Sequence, residues 1–144
     1  MLATHYDPPV RSLALGLCAL LVAAGTAAAG VVSFRMPSRN IECAEFTDAR
    51  PTLRCDIRSG LKPLPPKPAS CEFDWGAGFI MGRRGRAHVS CVSDSVHSPS
   101  ARVLRYGTTW RRDGFVCRSS RAGLRCRNAS GNGFFLSREH SFAF

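Results

Sequence analysis

The chain has 144 residues, 20 Lys and Arg against 10 Asp and Glu, a net charge of +10 and seven cysteines. The length suits one domain with a modest core, and the charge favours anionic partners (nucleic acid, an anionic cell-envelope polymer, lipid headgroups or an acidic protein), the alternative being a solvated basic surface with no partner. No C-x-x-C occurs and no histidine has zinc-ligand spacing to a thiol, so neither a metal nor a cofactor is expected.

Residues 1–29 read as an export leader. Arg11 precedes the apolar run Leu13–Ala24, and Ala27-Ala28-Ala29 supplies the small-residue ending of a secretory signal. Cleavage is expected after Ala29. Retention as an anchor is the alternative, because Val31 and Val32 prolong the apolar character. Cys18 follows Leu17 inside the run, so it is expected to leave with the leader rather than take a lipid. The leader contains one Arg and one Asp, so residues 30–144, read as a single domain with no membrane span, keep the whole charge. Eighteen of the twenty cations are Arg; Lys62 and Lys67 are the exceptions.

Helical periodicity is nearly absent from residue 30 onward. Short apolar runs broken by Gly, Pro, Ser, Asn and Asp predict strands at Val31–Arg35, Thr52–Ile57, Cys71–Trp75, Ala87–Val92, Val103–Tyr106, Gly114–Arg118, Gly123–Arg127 and Gly133–Ser137. Turns are expected at Pro37–Asn40, Ser59-Gly60, Asp113-Gly114 and Gly131-Asn132-Gly133. Leu61–Pro68 holds four prolines, which fix φ and remove donors, so it is expected to be an extended connector.

Six cysteines follow the leader: Cys43, Cys55, Cys71, Cys91, Cys117 and Cys126. An even set in a small exported domain implies disulfides. Each successive pair brackets two short strands and a connection, which suggests Cys43–Cys55, Cys71–Cys91 and Cys117–Cys126, each closure contributing roughly 3 kcal/mol on a chain-entropy view. Leu53-Arg54-Cys55 recurs as Leu124-Arg125-Cys126, which reads as two similar disulfide-closed hairpins rather than a repeat architecture. The expected fold is all-β, a small antiparallel sandwich or open barrel. Phe73, Trp75, Phe79, Phe115, Val116, Phe134 and Leu136 are expected to form much of its core.

Few residues suggest chemistry. His88 with Glu72 and Arg86 is the best arrangement for a secreted ribonuclease, although His88 also reads as an ordinary strand residue. His97 lies in a Ser-rich loop, and His140 is near the terminus. No G-x-S-x-G occurs, and Gly-Asn-Gly at 131–133 opens no helix that would cradle phosphate. The densest cation clusters are Arg83, Arg84 and Arg86, and Arg111 with Arg112. Beside Trp75, Tyr106 and Trp110 they could grip phosphates and stack on bases; otherwise they are solvated hairpin tips.

From Phe34 onward the chain resembles a family of small secreted actinobacterial proteins whose domain has no assigned function. The resemblance rests on Pro37-Ser38-x-Asn40-Ile41-x-Cys43, Leu53-x-Cys55-Asp56-Ile57, Cys71, Asp74-Trp75-Gly76, Cys91 and Tyr106-Gly107. It continues through Gly123-Leu124-x-Cys126-x-Asn128 and Gly131-x-Gly133-Phe134-x-Leu136-Ser137-Arg138. It implies export and a disulfide-rich domain, and no substrate. Arg39 stands where the family pattern has Gly, so a left-handed turn residue is expected there only if Asn40 carries it. The functional expectation is an exported, non-enzymatic binding domain for an anionic partner. The alternatives are a small hydrolase such as a ribonuclease, or an inhibitor or effector presenting an exposed loop such as Ser93–Ser100.

Overall fold

The computed structural model describes Met1 and residues 30–144, so the leader and Cys18 lie outside the described residues. Among these residues there is no helix. Eleven strands form two sheets: β1 Val31–Arg35, β2 Ile41–Phe46, β3 Thr52–Ile57, β4 Asp74–Gly82, β5 His88–Val92, β6 Arg102–Val103, β7 Thr109–Arg112, β8 Phe115–Ser120, β9 Gly123–Arg127, β10 Gly133–Leu136 and β11 Ser141–Ala143. The first sheet has the order β5-β4-β3-β2-β1-β6 and the second β11-β10-β9-β8-β7. All neighbours are antiparallel except β1 and β6. The sheets pack face to face as a sandwich over one shared core.

Three strands escape the sequence pattern. β2 carries Glu42 and Glu45, both buried, so its apolar alternation is hidden. β7 and β11 are short and mostly polar or exposed. β4 begins three residues later than expected and runs on to Gly82 through glycines that read as turns. A register irregularity between Trp75 and Phe79 accommodates Gly76 at φ 89°. β6 is shorter than the expected Val103–Tyr106 strand and starts one residue earlier.

The core differs from expectation in the same way. Phe79, Phe115, Phe134 and Leu136 are buried, but Phe73 precedes β4 and is 55% exposed. Val116 turns outward between the inward-facing Phe115 and Cys117. Trp75 is half-buried beside the proline connector, and its indole Nε1 donates to Pro65 O at 2.8 Å.

The three disulfides join Cys43 to Cys55, Cys71 to Cys91 and Cys117 to Cys126. The first and third link residues directly opposite each other on β2–β3 and β8–β9. These pairs belong to a repeat larger than two hairpins. Across the inner face of the first sheet run Phe34, Cys43, Cys55, Phe79 and Val89, each paired with the next. Across the second run Trp110, Cys117, Cys126, Phe134 and Ala143 in the same register. Phe34 meets Trp110 at 4.8 Å between ring centroids and Phe79 meets Phe134 at 5.4 Å, so the rows face each other. Strands β1–β5 and β7–β11 are thus two copies of one five-strand meander, related by an approximate two-fold axis crossing the strands. The outer-face glycines Gly78 and Gly133 also correspond: a Cβ at either would strike the carbonyl oxygen of Cys55 or Cys126. Sequence comparison misses the repeat because only a few inward residues and the L-R-C triplet survive in both copies.

Turn chemistry matches local geometry. Arg112 pairs with Phe115, leaving Asp113 (φ 44°) and Gly114 (φ 89°) as a two-residue loop of the type that suits hairpin twist. Arg39, not Asn40, takes the left-handed conformation in the β1–β2 turn, at φ 57°. Asn40 is buried and braces the neighbouring turn. It accepts from Arg58 N at 2.8 Å, accepts from Ser59 N at 3.1 Å and donates to Ser59 Oγ at 3.1 Å.

One inward residue breaks the apolar rule. Glu45 follows Cys43 on the inner face of β2, its side chain fully buried, and neither carboxylate oxygen has a hydrogen-bond partner among the described residues. Arg112 Nε lies 3.0 Å from Oε2 but out of line for a hydrogen bond. Burial, reinforced by the Asp113 carboxylate and opposed by Arg112, raises the Glu45 pKa to about 7.

Two stability predictions result. Arg39→Gly relieves a left-handed cost and loses some entropy on folding, so it should stabilise by about 0.5–1 kcal/mol in urea titration; a lowered midpoint would show that the arginine side chain holds the turn. Glu45 binds its proton more tightly folded than unfolded, so its contribution to stability falls as pH rises from 4.5 to about 7. Glu45→Gln should therefore exceed the parent by about 1–3 kcal/mol near pH 8, with the gap closing near pH 5. Equal pH profiles of unfolding for the two proteins would refute a neutral buried carboxyl.

Candidate anion-binding face

The repeat makes the two outer faces comparable position by position. On the first sheet, the paired rows are Ser33, Ala44, Arg54, Ile80 and His88, then Arg35, Glu42, Asp56 and Gly78. Arg54 and Asp56 form a bidentate pair, Nε to Oδ1 at 2.8 Å and Nη2 to Oδ2 at 2.7 Å. The segment Asp94–Ala101 lies over them. Arg54 donates to Asp94 Oδ1 and to Asp94 O, both at 2.6 Å. Val96 N donates to Asp56 Oδ2 at 3.2 Å, and Ser98 N donates to Glu42 Oε1. Arg54, Asp56 and Glu42 are consequently buried. Burial alone would lower the Arg54 pKa, but its bonds to Asp56 and Asp94 outweigh that and raise it; Arg54 in turn holds Asp94 below the usual carboxylate range. In the expected exposed loop Ser93–Ser100, Ser93, Asp94, Ser95, Pro99 and Ser100 are exposed, while Val96 is buried and His97 and Ser98 are half-buried where they meet Glu42.

The second sheet carries different residues on the same scaffold. Its outer rows are Thr109, Arg118, Arg125, Phe135 and Phe142, then Arg111, Val116, Arg127, Gly133 and Phe144. Arg118 and Arg127 stand where the first sheet has Ala44 and Asp56. Neither row contains an acid, and Arg111, Arg118, Arg125 and Arg127 are all exposed. Arg118 and Arg125 are directly opposite each other, a like-charge pairing that costs about 0.2–1 kcal/mol. No segment of the described chain covers them as Asp94–Ala101 covers the first sheet.

Next to the guanidinium groups lies an aromatic patch. Phe135 is 5.5 Å from Phe142 and 5.4 Å from His140 between centroids. His140 and Phe142 stack at 6.0 Å with an interplanar angle of 3°, and Phe144 lies 6.2 Å from Phe142. Arg125 sits over the Phe144 ring at 4.1 Å, joining the two halves of the face by a cation–π contact. Phe142 and Phe144 are 42% and 37% exposed.

The cation clusters of the sequence meet at one end of this face. The Arg83–Arg86 segment links β4 to β5, and Asn128 ties it to the second sheet by donating to Gly82 O at 3.0 Å and to Gly85 O at 2.8 Å. Ala129 N donates to Arg83 O at 3.0 Å, and the Arg83 side chain lies against Gly114 at the β7–β8 tip. Arg83, Arg84 and Arg86 are exposed there. Arg111 continues into the sheet row, whereas Arg112 turns toward Glu45.

Arg118, Arg125 and Arg127 form no charge run, so cluster counting overlooks them. Their signal is alternation: an inward cysteine sends its strand neighbours outward. The arrangement His88, Glu72 and Arg86 is not assembled. His88 lies at one end of β5, while Glu72 precedes β4 beyond the pairing of Asp74 with Val92, a separation of about 14 Å or more along the strands. Among the described residues, the histidine that meets a carboxylate is His97, whose Nδ1 is 3.0 Å from Glu42 Oε2.

Three disulfides mark a protein of an oxidising, extracytoplasmic environment. No curated protein and no solved structure matches the chain. A family model does match, over residues 14–144, and the chain belongs to that family, DUF6636, a family of unknown function.

Proposed function

We propose that this is an exported, non-enzymatic binding domain that holds a single-stranded nucleic acid on the outer face of its second sheet. The observation that carries the reading is the contrast between two equivalent faces. One is closed by the protein's own acids and its Asp94–Ala101 segment; the other presents Arg111, Arg118, Arg125 and Arg127 with neither acid nor cover. Guanidinium groups pair with phosphate oxygens in a forked geometry. Phe142, Phe144 and His140 offer flat groups on which bases stack, which single strands expose and duplexes do not. An envelope polymer without aromatic rings would use only the basic half. Arg83, Arg84 and Arg86 at the end of the face add attraction and extend the track past the hairpin tips. On this reading the leader is cleaved and the domain works outside the cytoplasm.

Titration of a fluorescent single-stranded oligonucleotide, followed by anisotropy, tests the assignment. Arg118→Ser with Arg125→Ser should weaken binding by about tenfold or more and flatten the plot of log K against log salt by about 1.4. Phe142→Ala should weaken oligonucleotide binding by about 1–3 kcal/mol while leaving binding to an aromatic-free polyanion such as polyphosphate unchanged. Replacing Arg83, Arg84 and Arg86 together with Ser should reduce retention on both polymers. Undiminished oligonucleotide affinity in the Arg118/Arg125 double variant would refute the site.

A further inference from the structure

The first sheet also holds a group of basic side chains, on the opposite side of the sandwich from the arginine rows. Arg35 at the end of β1, Arg39 in the β1–β2 turn, Arg58 just past β3 and His97 from the covering segment line one concavity of about 490 Å³ with Glu42, Ser98 and Pro99. Four separate chain segments thus bring three guanidinium groups and an imidazole together.

The concavity is built rather than incidental. Asn40 is buried and bonds to both Arg58 N and Ser59, which locks the turn bearing Arg39 to the turn bearing Arg58. Leu104 N donates to Arg35 O at 2.8 Å, which fixes the end of β1. Glu42 is the only acid in the lining, and its two oxygens are already engaged, Oε1 by Ser98 N and Oε2 by His97 Nδ1. Its charge therefore goes into placing His97, even though Arg35 is the residue paired opposite it on β1. Arg35, Arg39 and Arg58 form no ion pair among the described residues, and Arg35 Nε has no acceptor there. Arg39 also keeps a left-handed backbone that glycine would adopt at less cost, as residues at binding sites often do.

We propose that this concavity is a second anion site, distinct from the sheet face, for one compact tetrahedral oxyanion: a phosphate ion or the terminal phosphate of a monoester. Arg35, Arg39 and Arg58 supply converging forked donors for its oxygens. His97, braced by Glu42 through Nδ1, presents its remaining ring nitrogen. The lining contains no Phe, Tyr or Trp, and its one ring, His97, is held by Glu42, so recognition is of the phosphate group itself. The site does not rest on the nucleic-acid reading of the second sheet.

The test is a titration of the ¹⁵N-labelled domain with inorganic phosphate and, separately, with phenyl phosphate, at ionic strength held constant with chloride. Amide shifts should cluster at residues 35, 39, 58, 97 and 98. Arg39→Gln with Arg58→Gln should weaken binding at least about tenfold, while Arg118→Ser with Arg125→Ser should leave it unchanged. Tighter binding of the ester would assign a monoester terminus; equal or tighter binding of the free ion would assign phosphate. Shifts located only on β7–β9, or affinity unaltered in the Arg39/Arg58 variant with native shifts elsewhere, would overturn the proposal without bearing on the sheet face.

Discussion

The molecule depends on one layer of inward contacts in which two cross-strand disulfides lie back to back. Cys43–Cys55 and Cys117–Cys126 occupy the middle of their sheets, and the Phe34–Trp110 and Phe79–Phe134 contacts close the space on either side. A domain this small buries limited apolar surface. Here crosslinks sit at the centre of the core, where they hold β2 to β3 and β8 to β9 and also pack as apolar groups. Leu53, Leu124, Phe115 and Leu136 then fill the layer to either side, each fully buried.

That layer leaves the outer faces free to diverge. In the first copy of the meander, Glu42, Arg54 and Asp56 are satisfied from within by Asp94, Val96, His97 and Ser98. In the second, Val116 stands at the position of Glu42 and Arg127 at that of Asp56, and Arg118, Arg125 and Arg127 face solvent. Buried ions must be paired to persist, whereas exposed guanidinium groups are tolerated singly but repel one another in a row. Asp56 and Asp94 therefore neutralise Arg54 within the molecule, and arginines without an ion pair among the described residues are left on the second sheet, at its hairpin end and in the Arg35–Arg39–Arg58 concavity.

Much of the architecture was legible along the chain. The all-β class, strands β1, β3 and β9 to the residue, and the Asp113-Gly114 hairpin are all visible as short runs between turn signals. The misses share a cause. β2 was hidden because two of its inward and outward positions are buried glutamates, and β4 because glycines needed for close strand approach look like turn residues. Hydrophobicity alone places Phe73 and Val116 in the core, but Phe73 lies ahead of β4, outside the sheet, and Val116 points to the outer face of β8.

By itself the sequence determined the strand-rich class, the excess of arginine and the supply of cysteines, because composition and turn chemistry act locally. Only the tertiary structure decided which charges neutralise one another. It set Glu42 against His97 across 55 residues and Arg54 against Asp94 across 40, and it lined up Arg118 with Arg125 on neighbouring strands. Charge pairing falls off over a few ångströms, and distance in space at that scale is set by strand register and by the segment that folds back over a sheet, neither of which is written in the order of the residues.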